Sequence, residues 1–290
     1  MTHVPVLLEP ALDWLAVRPN GIYVDATFGA GGHSQAILDR LTDGRLIALD
    51  ADPSATSRAQ AIADPRLTFC STNFRELDAA LQQLGVEYID GALFDIGVSS
   101  MQLDDGGRGF SFTKEAPLDM RMNPHAGRSA YDVLSTASER ELADIFFHYG
   151  EERAARRIAH AIVERRSAGA LPTTTTEFAS LVSGVVHRPG HRERVHPATR
   201  VFQALRIAVN DELDSLRDGV NGAVGKLREA GRIVVISFHS LEDRIVKQTF
   251  RSDERLEVLT KRPVIADDTE MSANARARSA KLRAARRKAS

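Results

Sequence analysis

The sequence predicts an α/β fold in which an open, mostly parallel sheet is interrupted by an inserted α-helical domain. Three observations predict it. Apolar, β-rich runs alternate with helical stretches over the first hundred residues. The alternation stops between about Asp104 and Leu205, and it returns in a single strand-like run at residues 232–238. Near-continuous apolar strands separated by helices indicate a parallel sheet covered on both faces. Residues 1–103 and 207–290 are assigned to the sheet domain, and residues 104–206 to the insertion.

The elements follow in order. Residues 21–27 form a first strand that runs into glycines, and Ile37, Leu38 and Leu41 lie at helical spacing just after it. Residues 44–50 read as a second buried strand, 53–63 as a helix, 67–71 as a third strand, 74–84 as a helix and 91–96 as a fourth strand. Within the insertion, helices are expected over 139–149, 151–166 and 176–186. One amphipathic helix is expected over 198–216, carried by Phe202, Leu205, Val209, Leu213 and Leu216. Residues 273–290 hold Arg276, Arg278, Lys281, Arg283, Arg286, Arg287 and Lys288 and no acid. That run reads as a basic tail or, through residues 280–283, as a last edge strand.

Composition bounds the function. The 290 residues carry 38 Lys and Arg against 39 Asp and Glu, so any polyanion-binding surface must come from how charge is distributed. Cys70 is the single cysteine, which rules out a disulfide framework within one chain and argues against a cysteine zinc site. No cluster of metal ligands is evident. The first residues lack a basic flank, and no apolar run approaches the roughly 18 residues of a membrane span. A cytoplasmic protein without a membrane partner is expected.

The chemistry begins at Asp25-Ala26-Thr27-Phe28-Gly29-Ala30-Gly31-Gly32-His33-Ser34, between the first strand and first helix. Glycines permit positive φ and close approach of a ligand to the backbone, and open α/β sheets bind ligands beyond the carboxyl ends of their strands. Asp50 ends the second strand, where a carboxylate can accept the hydroxyl hydrogens of a ribose. Asp25 ends the first, where it would hold an amino group or fix the loop. A plain turn with two capping aspartates is the alternative. A dinucleotide fingerprint needs a third glycine where Ser34 stands. S-adenosylmethionine has no phosphate and suits the loop better.

Longer motifs then resemble a known family. They include Val4-Pro5-Val6-Leu7-Leu8, the glycine loop, Phe94-Asp95-Ile96-Gly97-Val98-Ser99-Ser100-Met101-Gln102-Leu103-Asp104, Arg108-Gly109-Phe110-Ser111-Phe112, Pro117-Leu118-Asp119-Met120-Arg121-Met122 and Tyr149-Gly150-Glu151-Glu152. Residues 196–207, 236–244 and 277–283 continue the series in order. Together they resemble the RsmH (MraW) family, ribosomal small-subunit RNA (cytosine-N4)-methyltransferases. One departure is the region after Phe250, where the family often carries a longer segment before the basic end, with Pro after the Asn; here Ala275 follows Asn274.

The resemblance implies a Rossmann-like class I methyltransferase sheet. It also implies methyl transfer from S-adenosylmethionine to N4 of one cytidine in 16S ribosomal RNA near the decoding site, within the small ribosomal subunit. It points to Gly31, Gly32, His33, Asp50, Phe74, Asp95 and Gln102 as cofactor positions. The exocyclic amine of cytosine is a poor nucleophile, and an acceptor for its hydrogens favours attack. Asp95, at the end of the fourth strand, is the candidate for that role, although the two prolines common after such a residue are absent. His239 is the second candidate at the target.

A base in folded RNA must leave its stack to react, and the surrounding phosphates need a basic surface. Residues 151–206 contain ten arginines and five acids, with Arg188, Arg192, Arg194 and Arg200 close together. These four are the RNA-binding candidates, set against a merely solvated helical face. The rival classes are an NAD-dependent oxidoreductase, a non-catalytic RNA-binding protein and a methyltransferase for another acceptor. A homodimer is left open.

Overall fold

The computed structural model describes residues 5–97, 101, 106–186 and 196–289. The chain divides into two compact units, one of residues 1–97 and 213–290, the other of residues 98–212.

The first unit is built on a seven-stranded sheet of order β3-β2-β1-β4-β5-β7-β6. Strands β1 (Ile22–Asp25), β2 (Arg45–Leu49), β3 (Leu67–Cys70), β4 (Ile89–Asp95) and β5 (Leu227–Ser237) are parallel. β7 (Lys281–Arg287) runs antiparallel between β5 and β6 (Leu256–Val258). This is an open, mostly parallel Rossmann-like α/β sheet, as expected. Side chains alternate across a strand, so the sheet has two cores. Val24, Ile47, Ala92, Phe94, Ile233 and Val235 belong to one, with helices α4 (Leu77–Gln83), α10 (Glu212–Lys226) and α11 (Ser240–Ser252) packed on it. Tyr23, Leu46, Leu93, Val234 and Ile236 belong to the other, covered by α1 (Leu8–Leu15) and α2 (Gly32–Leu38). Helix α3 (Ala55–Ile62) packs Ala55 and Ala59 beside Phe28 and Ala48.

The second unit is helical: α5 (Ala130–Thr136), α6 (Glu139–His148), α7 (Ala155–Ser167), α8 (Thr175–Val186) and α9 (Ala198–Asn210). Phe146, Ile158, Phe178, Phe202 and Leu205 share its core. Ser129 with Asp132, and Ser138 with Glu141, close capping boxes that start α5 and α6.

Three expectations are corrected. The single helix over 198–216 is two, because Asp211 takes a left-handed φ of 49°. The break is held from its own side: Arg206 grips Glu212 through two 2.7 Å bonds, and the Asn210 side chain accepts from the Met122 N–H and donates to the Met120 carbonyl. The second helix then runs on to Lys226, past Gly219 and Gly222, which lower helix propensity. Gly219 is there for space, since a Cβ on it would lie 2.8 Å from the Phe74 ring. Third, the basic end is neither a free tail nor an edge strand. β7 lies inside the sheet, and its cations meet internal partners: Arg283 with Asp243, Arg286 with Glu257, Arg287 with the Val224 carbonyl. Among the described residues, no helix is long and apolar enough to cross a membrane.

Candidate functional site

The carboxyl ends of β1, β2 and β4 bring three aspartates to one end of the sheet, around the loop that joins β1 to α2. The loop turns through Gly29 (φ 53°) and Gly31 (φ 84°), conformations that cost an L-residue about 1–2 kcal/mol. Its glycines are also packed tightly. A Cβ on Gly31 would come 2.9 Å from the Phe28 ring, and one on Gly32 would come 2.3 Å from Pro5 Cγ.

Asp25 is fully buried, and its two oxygens accept from the Thr27 N–H (3.1 Å) and the Ser34 hydroxyl (2.7 Å). Burial raises its pKa above the ordinary value, and the Ser34 hydrogen bond opposes the rise. These bonds join the end of β1 to the first turn of α2, so Asp25 shapes the loop. Asp50 serves the same loop from β2. Its Oδ2 accepts the Gly29 N–H at 2.7 Å and its Oδ1 the Asp52 N–H at 2.8 Å. A carboxylate has about four acceptor positions, so each oxygen retains capacity for a hydroxyl. Burial raises the Asp50 pKa too, opposed by those two N–H groups.

Asp95 ends β4, its own N–H donating to Thr27 Oγ1 at 2.7 Å. Its Oδ2 lies 3.6 Å from Nδ1 of His33, whose Nε2 is 3.2 Å from the Val6 carbonyl oxygen. The structure therefore brings Asp25, Gly31, Gly32, His33, Asp50 and Asp95 together. Phe74 follows β3 and stands half-buried, edge-on to Phe94 at 5.8 Å and against Gly219, so at least one side of its ring belongs to the core. Gln102 lies outside the described residues, as do Arg188, Arg192 and Arg194. Arg200 is exposed on the first turn of α9, with no ion pair among the described residues.

His239 is the N-cap of α11. Its Nδ1 accepts the Glu242 N–H at 3.5 Å, and its Nε2 lies 3.0 Å from Glu242 Oε1. Glu242 Oε2 accepts the N–H groups of Phe238 and His239 at 2.8 and 3.2 Å. The ring is thus committed to starting the helix.

Sequence reasoning missed several supporting residues. Thr27 and Ser34 hold Asp95 and Asp25, Arg58 donates to the Gly29 carbonyl at 2.9 Å, and Glu270 on α12 (Asp268–Ala273) accepts the Leu7 N–H at 2.6 Å. The Asp50-x-Asp52 spacing carried a local signal for the turn after β2. Nothing near Glu270 in sequence signals its partner.

Comparisons with known proteins give the family. The profile of a family described as the MraW methylase family matches residues 1–288. The chain is similar to a protein named Ribosomal RNA small subunit methyltransferase H from Thermomicrobium roseum, at 50% identity over 99% of this chain and 94% of that protein. Proteins of the same name from Thiobacillus denitrificans (49%, covering 98% and 97%) and Geobacter sulfurreducens (48%, covering 98% of each) are comparably similar.

Proposed function

The chain belongs to the MraW methylase family, and from that premise we propose that it methylates N4 of a cytidine near the decoding site of 16S ribosomal RNA. It is an S-adenosylmethionine-dependent methyltransferase, and its relatives are named for the RNA of the small ribosomal subunit.

The observation that carries the reading is the ring of carboxylates around the left-handed glycine loop. Asp25, Asp50 and Asp95 make that end of the sheet acidic, and the nearby cation Arg58 is turned to the Gly29 carbonyl. Such a site disfavours a pyrophosphate and favours a ligand with a sulfonium and an ammonium group. Asp50 would hold the ribose, the backbone of Gly31 and Gly32 would face the ligand closely, and Phe74 and Gln102 would complete the cofactor set. Bound there, S-adenosylmethionine supplies an electrophilic methyl group on sulfur. Asp95 would accept hydrogen bonds from the target amine and so hold its lone pair toward that methyl. His239, committed to its helix cap, is left the lesser role of lining the cleft.

One prediction concerns the ribose contact. Only the ionised Asp50 can keep its two N–H bonds and accept two hydroxyls. Affinity for S-adenosylmethionine is therefore expected to fall as pH drops through the raised Asp50 pKa, which lies above 3.8. Asp50→Asn should bind roughly 10- to 100-fold more weakly at neutral pH and lose this dependence, as charge-assisted hydrogen bonds are worth about 1.5–3 kcal/mol. Titration calorimetry across pH checks both.

The helical unit would meet the RNA through Arg188, Arg192, Arg194 and Arg200, with phosphate contacts supplying affinity. Replacing Arg192 and Arg194 with Glu is expected to weaken binding to small subunits and flatten its salt dependence. Unchanged binding in a filter assay would assign these charges to a solvated face.

The reaction itself is tested with labelled S-adenosylmethionine and small subunits lacking the modification, with naked ribosomal RNA alongside. Label in N4-methylcytidine after digestion is the expected result, and comparing the two substrates shows whether assembly is required. Label in another nucleoside, or none despite cofactor binding, would overturn the cytidine assignment.

A further inference from the structure

We propose that His33 takes up the proton released when the target amine is methylated, receiving it by way of Asp95. The inference rests on the reading of Asp95 as the acceptor facing that amine, and it assigns the next step to a second residue.

The geometry fixes the tautomer. A carbonyl oxygen only accepts, so the 3.2 Å contact to the Val6 carbonyl puts the hydrogen of the neutral His33 ring on Nε2. Nδ1 is then a bare lone pair, and it is the atom turned to Asp95 Oδ2 at 3.6 Å. A lone pair opposite a carboxylate is two acceptors face to face. The contact becomes favourable only with a proton between them. At 3.6 Å it is longer than a hydrogen bond, as acid–base contacts often are before substrate tightens them.

The arrangement is held from outside the loop. Leu7 takes a left-handed φ of 51°, and its N–H donates to the Glu270 carboxylate of α12. That bond fixes the peptide whose carbonyl, Val6, receives Nε2. His33 itself is 5% exposed. Around it, the charges of Asp25 on β1 and Glu270 on α12 favour imidazolium, and Arg276 in the 3-10 turn Ala275–Ser279 opposes it. Burial opposes it most, so the pKa lies below the ordinary 6.5 and the resting ring is a neutral acceptor.

The balance is simple. As the N–C bond forms and the C–S bond breaks, the electron pair leaves with sulfur and the amine nitrogen carries one proton too many. That proton passes to the Asp95 carboxylate and then to His33 Nδ1. The imidazolium, with both nitrogens now donating, gives it back through Asp95, whose side chain keeps 16% exposure against 6% for His33, and from there to solvent. No other reactant is required.

The first test uses the wild-type protein with ¹⁵N-labelled histidine. His33 is expected to show a protonated Nε2 and a bare Nδ1 at neutral pH, and Asp95→Asn to shift its titration. An Nδ1–H tautomer would overturn the proposal, whatever any variant does. The second test is single-turnover methylation of unmodified small subunits across pH. The wild-type rate should fall as pH drops through the His33 pKa. His33→Gln should abolish that limb and lower the plateau by about 10²-fold, beyond any change in cofactor affinity measured alongside. A loss of affinity in step with rate would make His33 a cofactor-positioning residue only. Full rate in His33→Gln with a slow Asp95→Asn removes this inference alone. Full rate in Asp95→Asn removes the reading of Asp95 on which it rests.

Discussion

Replacing Asp25 with Ala is expected to destabilise the protein by about 2–3 kcal/mol and to abolish measurable binding of S-adenosylmethionine. The carboxylate is fully buried and joins the Thr27 N–H to the Ser34 hydroxyl. Its removal leaves both donors without their acceptor and frees the loop from α2. Asp25→Asn keeps one acceptor and should lose about half as much. The pH dependence has a definite sign. Because the folded-state pKa of Asp25 is raised, the native state holds that proton longer than the unfolded chain does. The advantage of the wild type over Asp25→Ala should be greatest below the ordinary carboxyl value of 3.8 and shrink as pH rises through the folded value. Urea unfolding at fixed pH values measures the stability, and calorimetry the binding. Unaltered affinity in a folded Asp25→Ala protein would remove Asp25 from the cofactor site.

Glu242→Ala is the second large effect, expected at about 3–4 kcal/mol, the range for deleting one partner of a buried charged network. Glu242 is 0% exposed, and it accepts from the N–H groups of Phe238 and His239 while facing His239 Nε2. Alanine would leave those donors buried where β5 passes into α11. A fall in Tm of roughly 10 °C follows for a domain of this size. Glu242→Gln, which keeps one acceptor oxygen, should lie between. The same variants bear on His239. Normal methylation by His239→Asn below its Tm would limit that histidine to capping, whereas a slow but stable His239→Asn would return it to the reacting centre.

How much of this was legible in the sequence varies with the range of the interaction. The parallel strands were legible because both faces of the sheet are covered: Val24, Ile47, Phe94 and Val235 bury on one and Tyr23, Leu46, Leu93 and Val234 on the other, giving continuous apolar runs. The glycine loop was legible because its special backbone angles require special residues at adjacent positions. Local spacing failed where distant contacts decide. Asn210 and Asp211 tolerate left-handed backbone, but only the contacts of Asn210 with Met120 and Met122, far back in the chain, show that the helix breaks there. Gly219 and Gly222 read as helix weaknesses until Phe74 is seen against the first of them. Likewise, the cluster of cations in 276–288 reads as a basic tail until Asp243 and Glu257 are found opposite Arg283 and Arg286. At the site, the identity of Asp25, Asp50 and Asp95 was readable. That Asp25 is wholly occupied with the loop, and that His33 points a lone pair at Asp95, was not.

The position of β7 also bears on how the protein comes to be folded during synthesis. Among the described residues β6 pairs only with β7, and β5 has β4 on one side and β7 on the other. Yet β7 emerges from the ribosome after every other strand. Until it does, β5 presents an open edge and β6 has no strand to pair with. An open apolar edge recruits other chains, and contacts between segments distant in sequence form slowly. The nascent chain therefore completes five paired strands while the outer edge of β5 and all of β6 wait for a strap that arrives last. Premature termination before residue 281 should yield aggregating protein rather than a smaller folded enzyme.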